Sequence, residues 1–338
     1  VNWHYRRIMK YLFGVQVSVD GGHLLRRSKT HDHASRSHPL HSKSFFLILI
    51  FPWLIGISAH ATELKPETAA AFDHYVRITE SKMESELDGN QFLVIDQLPE
   101  AQGKQAYEQV RRGEVFIQEM HTQDGHTPIR IPSGLVHHWA GVIFIPKATL
   151  LEVNAVLQDY SNEPKIYRPE IRRAKLIEQN GNKSKVYLQF FSKSIITVVF
   201  DGYFDVTLKS IDKTRSESIS HSTHIAEIDN PDGPNAHERT GSADHGYLWR
   251  LNSYWRIEEK DGGVYVQNES ITLTRTVPIL LAWIANPLIK SLPRDVLAHM
   301  LNDTQDAVLK KSKVAMASPQ GKKQIKGEWD ETKQDGEN

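Results

Sequence analysis

The chain has 338 residues, enough for one large domain or two small ones. Its 41 Lys+Arg balance its 41 Asp+Glu, which argues against a general nucleic-acid binder, since such proteins carry a basic excess. It holds no cysteine, which excludes disulfides, thiolate catalysis and cysteine-ligated metals.

Residues 1–44 carry six His, many Arg and Ser, and little apolar periodicity, and read as an uninformative leader or an over-extended translation start. Phe45 to Ser58 is an apolar run, too short for a comfortable membrane span, which needs about 20 residues. Lys43 precedes it and Ala59-His60-Ala61 follows, the pattern of a secretory signal. Cleavage after Ala61 is expected, giving a secreted or periplasmic protein with no stable membrane span.

Residues 62–133 read as an accessory helical segment. Ala69, Phe72, Tyr75, Val76 and Met83 recur on one face of a helix from Pro66 to Leu87. Phe92 to Ile95 is expected as a short strand, Lys104–Arg112 as a helix, Glu114–Met120 as a strand and His121–Ser133 as a polar loop. Val136–Ile145 then reads as a strand and Ala148–Asp159 as a helix. A proline-bearing loop follows, from Tyr160 to Pro169. Strands are expected over Glu170–Glu178, Lys185–Phe191, Ile195–Ser210 and Arg215–Ile228, with a long polar loop from Asp229 to His245.

Gly246 to Arg275 predicts two long strands joined at Asp261-Gly262, the strongest short-range hairpin signal. Alternation puts Trp249, Leu251, Ser253, Trp255 and Ile257 on one face, with Val264, Val266, Asn268, Ser270 and Thr272. The opposite face takes Arg250, Asn252, Tyr254, Arg256, Gln267 and Glu269. The last region reads as helix from Pro278, interrupted at Pro287 and Pro293. From Arg294 the apolar stripe is Val296, Leu297, Met300, Leu301, Ala307 and Val308. A disordered polar tail is expected over 312–338.

The segment IPKATLLEVNAVLQDYSNEPKIYRPEIRRAKLIEQNG (145–181) carries a strand, a helix, Asp159-Tyr160, a loop with Pro169 and a second strand. With the hairpin and the terminal helix, it resembles the START-like helix-grip (SRPBCC) superfamily, which includes polyketide cyclases and lipid-transfer domains. The resemblance spans about 136–311. It implies an α+β fold, with a curved antiparallel sheet of about seven strands around a long C-terminal helix. It also implies a cavity between helix and sheet.

The expected ligand-binding residues are Trp249, Ser253, Trp255, Asn268, Ser270, Thr272, Tyr160 and Tyr167, with Trp283 a further aromatic candidate. Small polar groups on an apolar face cost free energy unless something satisfies them. No catalytic residue, metal ligand or cofactor is expected. His221 and His224 lie three apart, which on a strand puts them on opposite faces, and no HExxH accompanies them. Tyr254 and Glu269 should pair directly across the hairpin, as a structural cluster docked under 62–133 in preference to an acid–base pair. Asp232-Gly233 and Asp244 read as a solvated loop. The leading expectation is a binder of a hydrophobic small molecule or lipid. The rivals are a cyclase or aromatase using the same cavity, and a non-catalytic interaction module with a filled one. The oligomeric state is left open.

Overall fold

The computed structural model describes residues 63–87, 89–193, 197–240, 244–276 and 279–317, with side chains in the last stretch described from 293 to 313. These residues belong to one compact unit, Thr62–Asn338. The apolar run 45–58, the Ala59-His60-Ala61 site and Trp283's side chain lie outside the described residues. So does the tail beyond 317.

The hairpin forms at the expected turn. Asp261 and Gly262 both adopt left-handed conformations, with φ of 57° and 74°. That geometry joins β10 (Arg250–Lys260) to β11 (Gly263–Arg275) in register, with Tyr254 opposite Glu269. β11 continues onto β4 (Gly134–Pro146), and β10 onto β8 (Arg215–Asp229). β7 (Thr197–Ser210), β6 (Lys183–Lys193) and β5 (Ile171–Asn180) complete seven long strands. All pairings are antiparallel, so short turns suffice to join most of them. The order is β1-β4-β11-β10-β8-β7-β6-β5. β1 (Phe116–Glu119) is an edge strand and β9 (His237–Glu238) a short addition to β8. The accessory segment is therefore part of the sheet.

Helices lie on both faces. On one, α5 (Ile279–Ala317) buries Leu297, Leu301, Thr304 and Val308, spaced four, three and four residues apart, as one stripe of a helix requires. Leu297, Leu301 and Val308 belong to the expected stripe, while Val296 and Met300, expected to share its inward face, are only half-buried. The stripe packs with Ile143, Ile145, Ile257, Val264 and Val266. Gly141 permits the approach, since a Cβ there would lie 2.7 Å from Leu301 Cδ1. α3 (Leu150–Leu157) joins this layer, capped by Thr149 and by Glu259, whose carboxylate accepts the Leu150 N–H at 2.6 Å. This helix-over-sheet order is the helix-grip arrangement the resemblance implied.

On the other face, α1 (Pro66–Glu86) starts at a proline and buries Phe72, Tyr75, Val76 and Met83 against Tyr254, Ile271 and Leu273. α2 (Glu100–Arg111) closes the same side near Phe144 and Tyr265.

Four local expectations are corrected. Phe92–Ile95 is not a strand: Val94–Gln97 is a 3-10 turn, with Phe92 to Ile95 buried because Gln267 accepts the Val94 N–H at 2.6 Å and pins the turn to the sheet. The loop 121–133 contains a small hairpin of β2 (Gln123–Asp124) and β3 (Thr127–Pro128). The Tyr160–Pro169 loop holds a 3-10 turn and the short α4 (Glu163–Ile166). α5 runs through Pro287 and Pro293 and past 311 to Ala317. A proline removes one helical hydrogen bond, a cost and not a prohibition.

Candidate functional site

Register decides which side chains meet on the face toward α5, the inner face. Ser253 of β10 pairs with Ser270 on one side and Ser220 on the other. Ser270 pairs with Trp139, and Ser220 with Val206. A single row thus crosses five strands: Trp139, Ser270, Ser253, Ser220, Val206. Adjacent strands lie about 4.8 Å apart, so three hydroxyls in line span roughly 10 Å. The row nearer the turn is Gly141, Asn268, Trp255, Ser218 and Leu208. The row beyond carries His137, Thr272 and Leu251, and Ser222 Oγ there accepts the Leu251 N–H at 3.0 Å.

Burial changes along this face. Ile143, Val266 and Ile257, one row nearer the turn than Asn268, are all at 0% exposure under α5. Trp139, Ser253, Trp255, Ser270 and Thr272 are only half-buried. The inner face is a closed apolar floor at one end and a half-buried surface of tryptophans and hydroxyls at the other. Asn268 sits at the boundary, 2% exposed, and donates Nδ2–H to Ser253 Oγ at 2.8 Å. Ser218, Ser220, Ser270 and Thr272 make no side-chain hydrogen bond among the described residues, so their hydroxyls stay available to solvent or ligand. His137 contacts Thr274 at 3.2 Å. Burial pushes its pKa down, against an upward pull from Glu119, so it is neutral at neutral pH.

Ser253, Trp255, Asn268, Ser270 and Thr272 are thus brought together as the alternation predicts. Trp249 is not among them. It precedes the ladder, 4% exposed, and packs with Phe72 and Tyr75 on the α1 side. Gly246, in a left-handed conformation, turns the chain there, and a Cβ on it would lie 2.9 Å from the Trp249 ring. β10 begins at Arg250, so the strand alternation does not extend to Trp249. Tyr167 lies apart from the rows, whereas Tyr160 meets the continuation of the serine row, since Ser184 of β6 pairs with Val206. Tyr167 is buried with its OH 3.0 Å from Thr304 Oγ1 of α5. Tyr160 is half-buried, its hydroxyl bonded to Ser184 of β6, and burial raises its pKa.

The outer face has the opposite character. A cleft of about 100 Å³ is lined by Thr79, Glu86, Thr122, His138 and Glu269. His138 Nε2 lies 2.6 Å from Glu269 Oε1 and its Nδ1 2.9 Å from Tyr75 OH, which accepts the Thr122 N–H. A second cleft, of about 170 Å³, is lined by Glu80, Glu84, Lys209, Glu217, His221 and Tyr254. Tyr254 OH donates to Glu80 at 2.8 Å, and burial followed by the Glu80 charge drives its pKa up. Arg256, 1% exposed, donates to Glu86, Glu217 and the carbonyls of Phe92 and Met83. These polar groups are spent on one another, holding α1 to the sheet. Tyr254 and Glu269 face each other but bond elsewhere, and Arg250 donates to the Trp249 carbonyl.

One sequence expectation about histidines fails. The β7–β8 register shifts between Tyr203 and Phe204, leaving Thr223 as an extra residue. That bulge restores His224 to the face of His221. The two still serve different partners, Glu80 and Glu238. Among the described residues no group of His, Asp and Glu is placed to hold a metal ion.

No family model matches the chain, and no curated protein matches it. Solved structures do. A STAR-related lipid transfer protein from Xanthomonas axonopodis is 16% identical, covering 56% of this chain and 98% of its own, with a TM-score of 0.36. Human STARD10 is 12% identical, over 65% and 84%, with a TM-score of 0.40. The Zhui aromatase/cyclase from Streptomyces sp. R1128 is 12% identical, over 55% and 99%, with a TM-score of 0.37. These likenesses concern the fold, and what those proteins bind or make says nothing of this chain.

Proposed function

We propose that this protein binds a hydrophobic small molecule or lipid in the trough between the inner face of the sheet and α5. The observation that carries the reading is the change in burial along β4, β10 and β11. Side chains at 0% exposure give way, within two rows, to half-buried tryptophans and hydroxyls without side-chain partners. A packed core would not leave hydroxyls unpaired beside tryptophans, whereas a binding site for an apolar ligand combines an apolar wall with a few convergent polar groups. The cyclase reading draws less support, because a general acid or base must reach the substrate. The ionisable group among these rows is His137, already engaged with Thr274.

Uptake of a neutral, environment-sensitive dye such as Nile red by the purified protein tests the reading. Saturable binding lost in Ser270→Trp supports it. Binding unchanged by that substitution places the dye elsewhere and refutes it. Export is part of the same proposal, and N-terminal sequencing of extracellular or periplasmic material should begin at Thr62. An intact leader on cytoplasmic protein would contradict export. No helix among the described residues is long and apolar enough to cross a membrane.

A further inference from the structure

The outer network is not fully closed. Glu80 and Glu84 stand four residues apart on α1, neighbours on one side of the helix. Glu217, Ile219 and His221 alternate along β8 and so share the outer face. Register sets Lys209 of β7 opposite Glu217, and Tyr254 of β10 opposite Ile219. With Met83 of α1, these side chains enclose the cleft of about 170 Å³. Three carboxylates thus share the cleft with one ammonium, and its remaining walls are apolar or aromatic.

Two carboxylate oxygens there are left over. Glu217 is 2% exposed, and its Oε1 accepts from Arg256 Nε at 3.2 Å. Its Oε2 is buried and has no hydrogen-bond partner among the described residues. Lys209 Nζ lies 3.7 Å from that oxygen, too far for a hydrogen bond, and donates to Glu84 at 3.0 Å instead. Glu80 takes both of its partners, His221 and Tyr254, on Oε1, so its Oε2 is also without a hydrogen bond among the described residues. A buried acceptor without a donor carries the full cost of its lost hydration. Charge points the same way. Arg256 serves Glu86 and Glu217, and Lys209 serves Glu84, which leaves Glu80 with no Lys or Arg partner. Burial lowers the Lys209 pKa, but Glu84 and Glu217 outweigh it and the net shift is upward, so the cleft favours a cation.

We propose that this cleft binds a small organic ammonium ion, whose N–H groups supply the donors that Glu217 and Glu80 lack and whose short hydrocarbon body lies against Met83 and Ile219. Lys209 is a tethered stand-in for that ammonium and competes with it. Its side chain is flexible and 35% exposed, and its withdrawal uncovers Glu217 Oε2. A quaternary ammonium has no N–H and cannot supply the missing bonds. A metal ion fits less well, because among the described residues no group of His, Asp and Glu is placed to hold one. The cleft lies on the opposite face of the sheet from α5, so the proposal is independent of the inner-face reading.

The methyl resonances of Met83 and Ile219 in the purified, isotope-labelled protein, titrated with n-butylammonium chloride, test this. Both should shift and saturate. The neutral n-butanol and the donorless tetramethylammonium should each bind about tenfold more weakly, the value of one hydrogen bond to a charged group. Lys209→Met removes the tethered competitor and should tighten n-butylammonium about tenfold, by the same value. Glu80→Gln keeps an acceptor for Tyr254, removes the charge, and should weaken binding about as much. A lysine with a purely structural role in the cleft would not give tighter binding when removed, so unchanged or weaker binding by a folded Lys209→Met overturns the proposal. If that variant does not fold, Glu80→Gln decides alone, and unchanged affinity overturns it. Equal shifts from tetramethylammonium, or from magnesium chloride at matched ionic strength, would reduce the effect to charge screening and overturn it as well. So would the absence of a saturable shift at either methyl.

Discussion

One hairpin serves two faces that differ in how their polar groups are satisfied. On the outer face, Arg256, Tyr254, Gln267 and Glu269 are buried and bonded, and several of their partners come from 66–97. On the inner face, the alternating neighbours Ser253, Ser270 and Thr272 are smaller, half-buried and largely without partners. Buried charge bonded to a helix gives specificity of docking. Small unmatched hydroxyls beside tryptophans leave polar groups for a ligand instead. Polarity alone does not mark a site; polarity left unsatisfied does.

The comparison breaks most visibly at Arg256. Arg256→Met leaves Glu86 and Glu217 buried without their cation. Removing one partner of a buried ionic pair costs about 3–5 kcal/mol. The denaturation midpoint should fall accordingly, and cleavage by trypsin within α1 should rise. A loss below 1 kcal/mol would mean that the outer network is not what holds α1.

Glu163 offers a pH test of the inner side. Its folded pKa of about 8 lies above the ordinary value of 4.5. Between these values the unfolded chain has released the proton and the folded chain retains it, so this group lowers stability as pH rises. Glu163→Gln should therefore gain stability over the parent between pH 5 and pH 8, by an amount on the order of a few kcal/mol. A parallel pair of pH–stability curves would show that Glu163 is solvated and charged.

The outer face has its own, smaller pH dependence. Burial raises the pKa of Glu80, but hydrogen bonds from His221 and Tyr254 outweigh it, and the net shift is downward. A depressed carboxylate stabilises the fold above its ordinary pKa and loses that contribution as pH falls. Protection of α1 amides from hydrogen exchange should weaken below pH 4.5, and less so in Glu80→Gln. Equal weakening in both would remove Glu80 from the account.

Much of this was legible in the sequence. The Asp261-Gly262 turn fixes the hairpin register, and register alone aligns Ser253 with Ser270. The Leu297–Leu301–Val308 stripe announces the packed side of α5. What was hidden depends on long-range or irregular geometry. Trp249 follows a left-handed Gly246 and escapes the alternation. Thr223 forms a bulge that no local pattern marks, and it reverses the faces of everything after it on β8. Ser220 joins the row only through β8–β10 pairing. The docking of 62–133 over the outer face rests on ion pairs between residues about 170 positions apart, such as Glu86 with Arg256. Charge pairing at that distance leaves no periodic trace.

The central claim is that the two faces divide the labour, the outer one docking α1 and the inner one holding a ligand. Native mass spectrometry of the purified protein, run on the parent and on Ser270→Trp, tests it most directly. Ser270 is half-buried and borders the trough, so the larger ring should fill empty space at a cost below the roughly 1–3 kcal/mol of overpacking a core. The account predicts one non-covalently retained neutral molecule per chain in the parent and none in a Ser270→Trp variant of nearly unchanged melting temperature. A parent that retains nothing, or a variant that unfolds and so reveals a filled core, would contradict it.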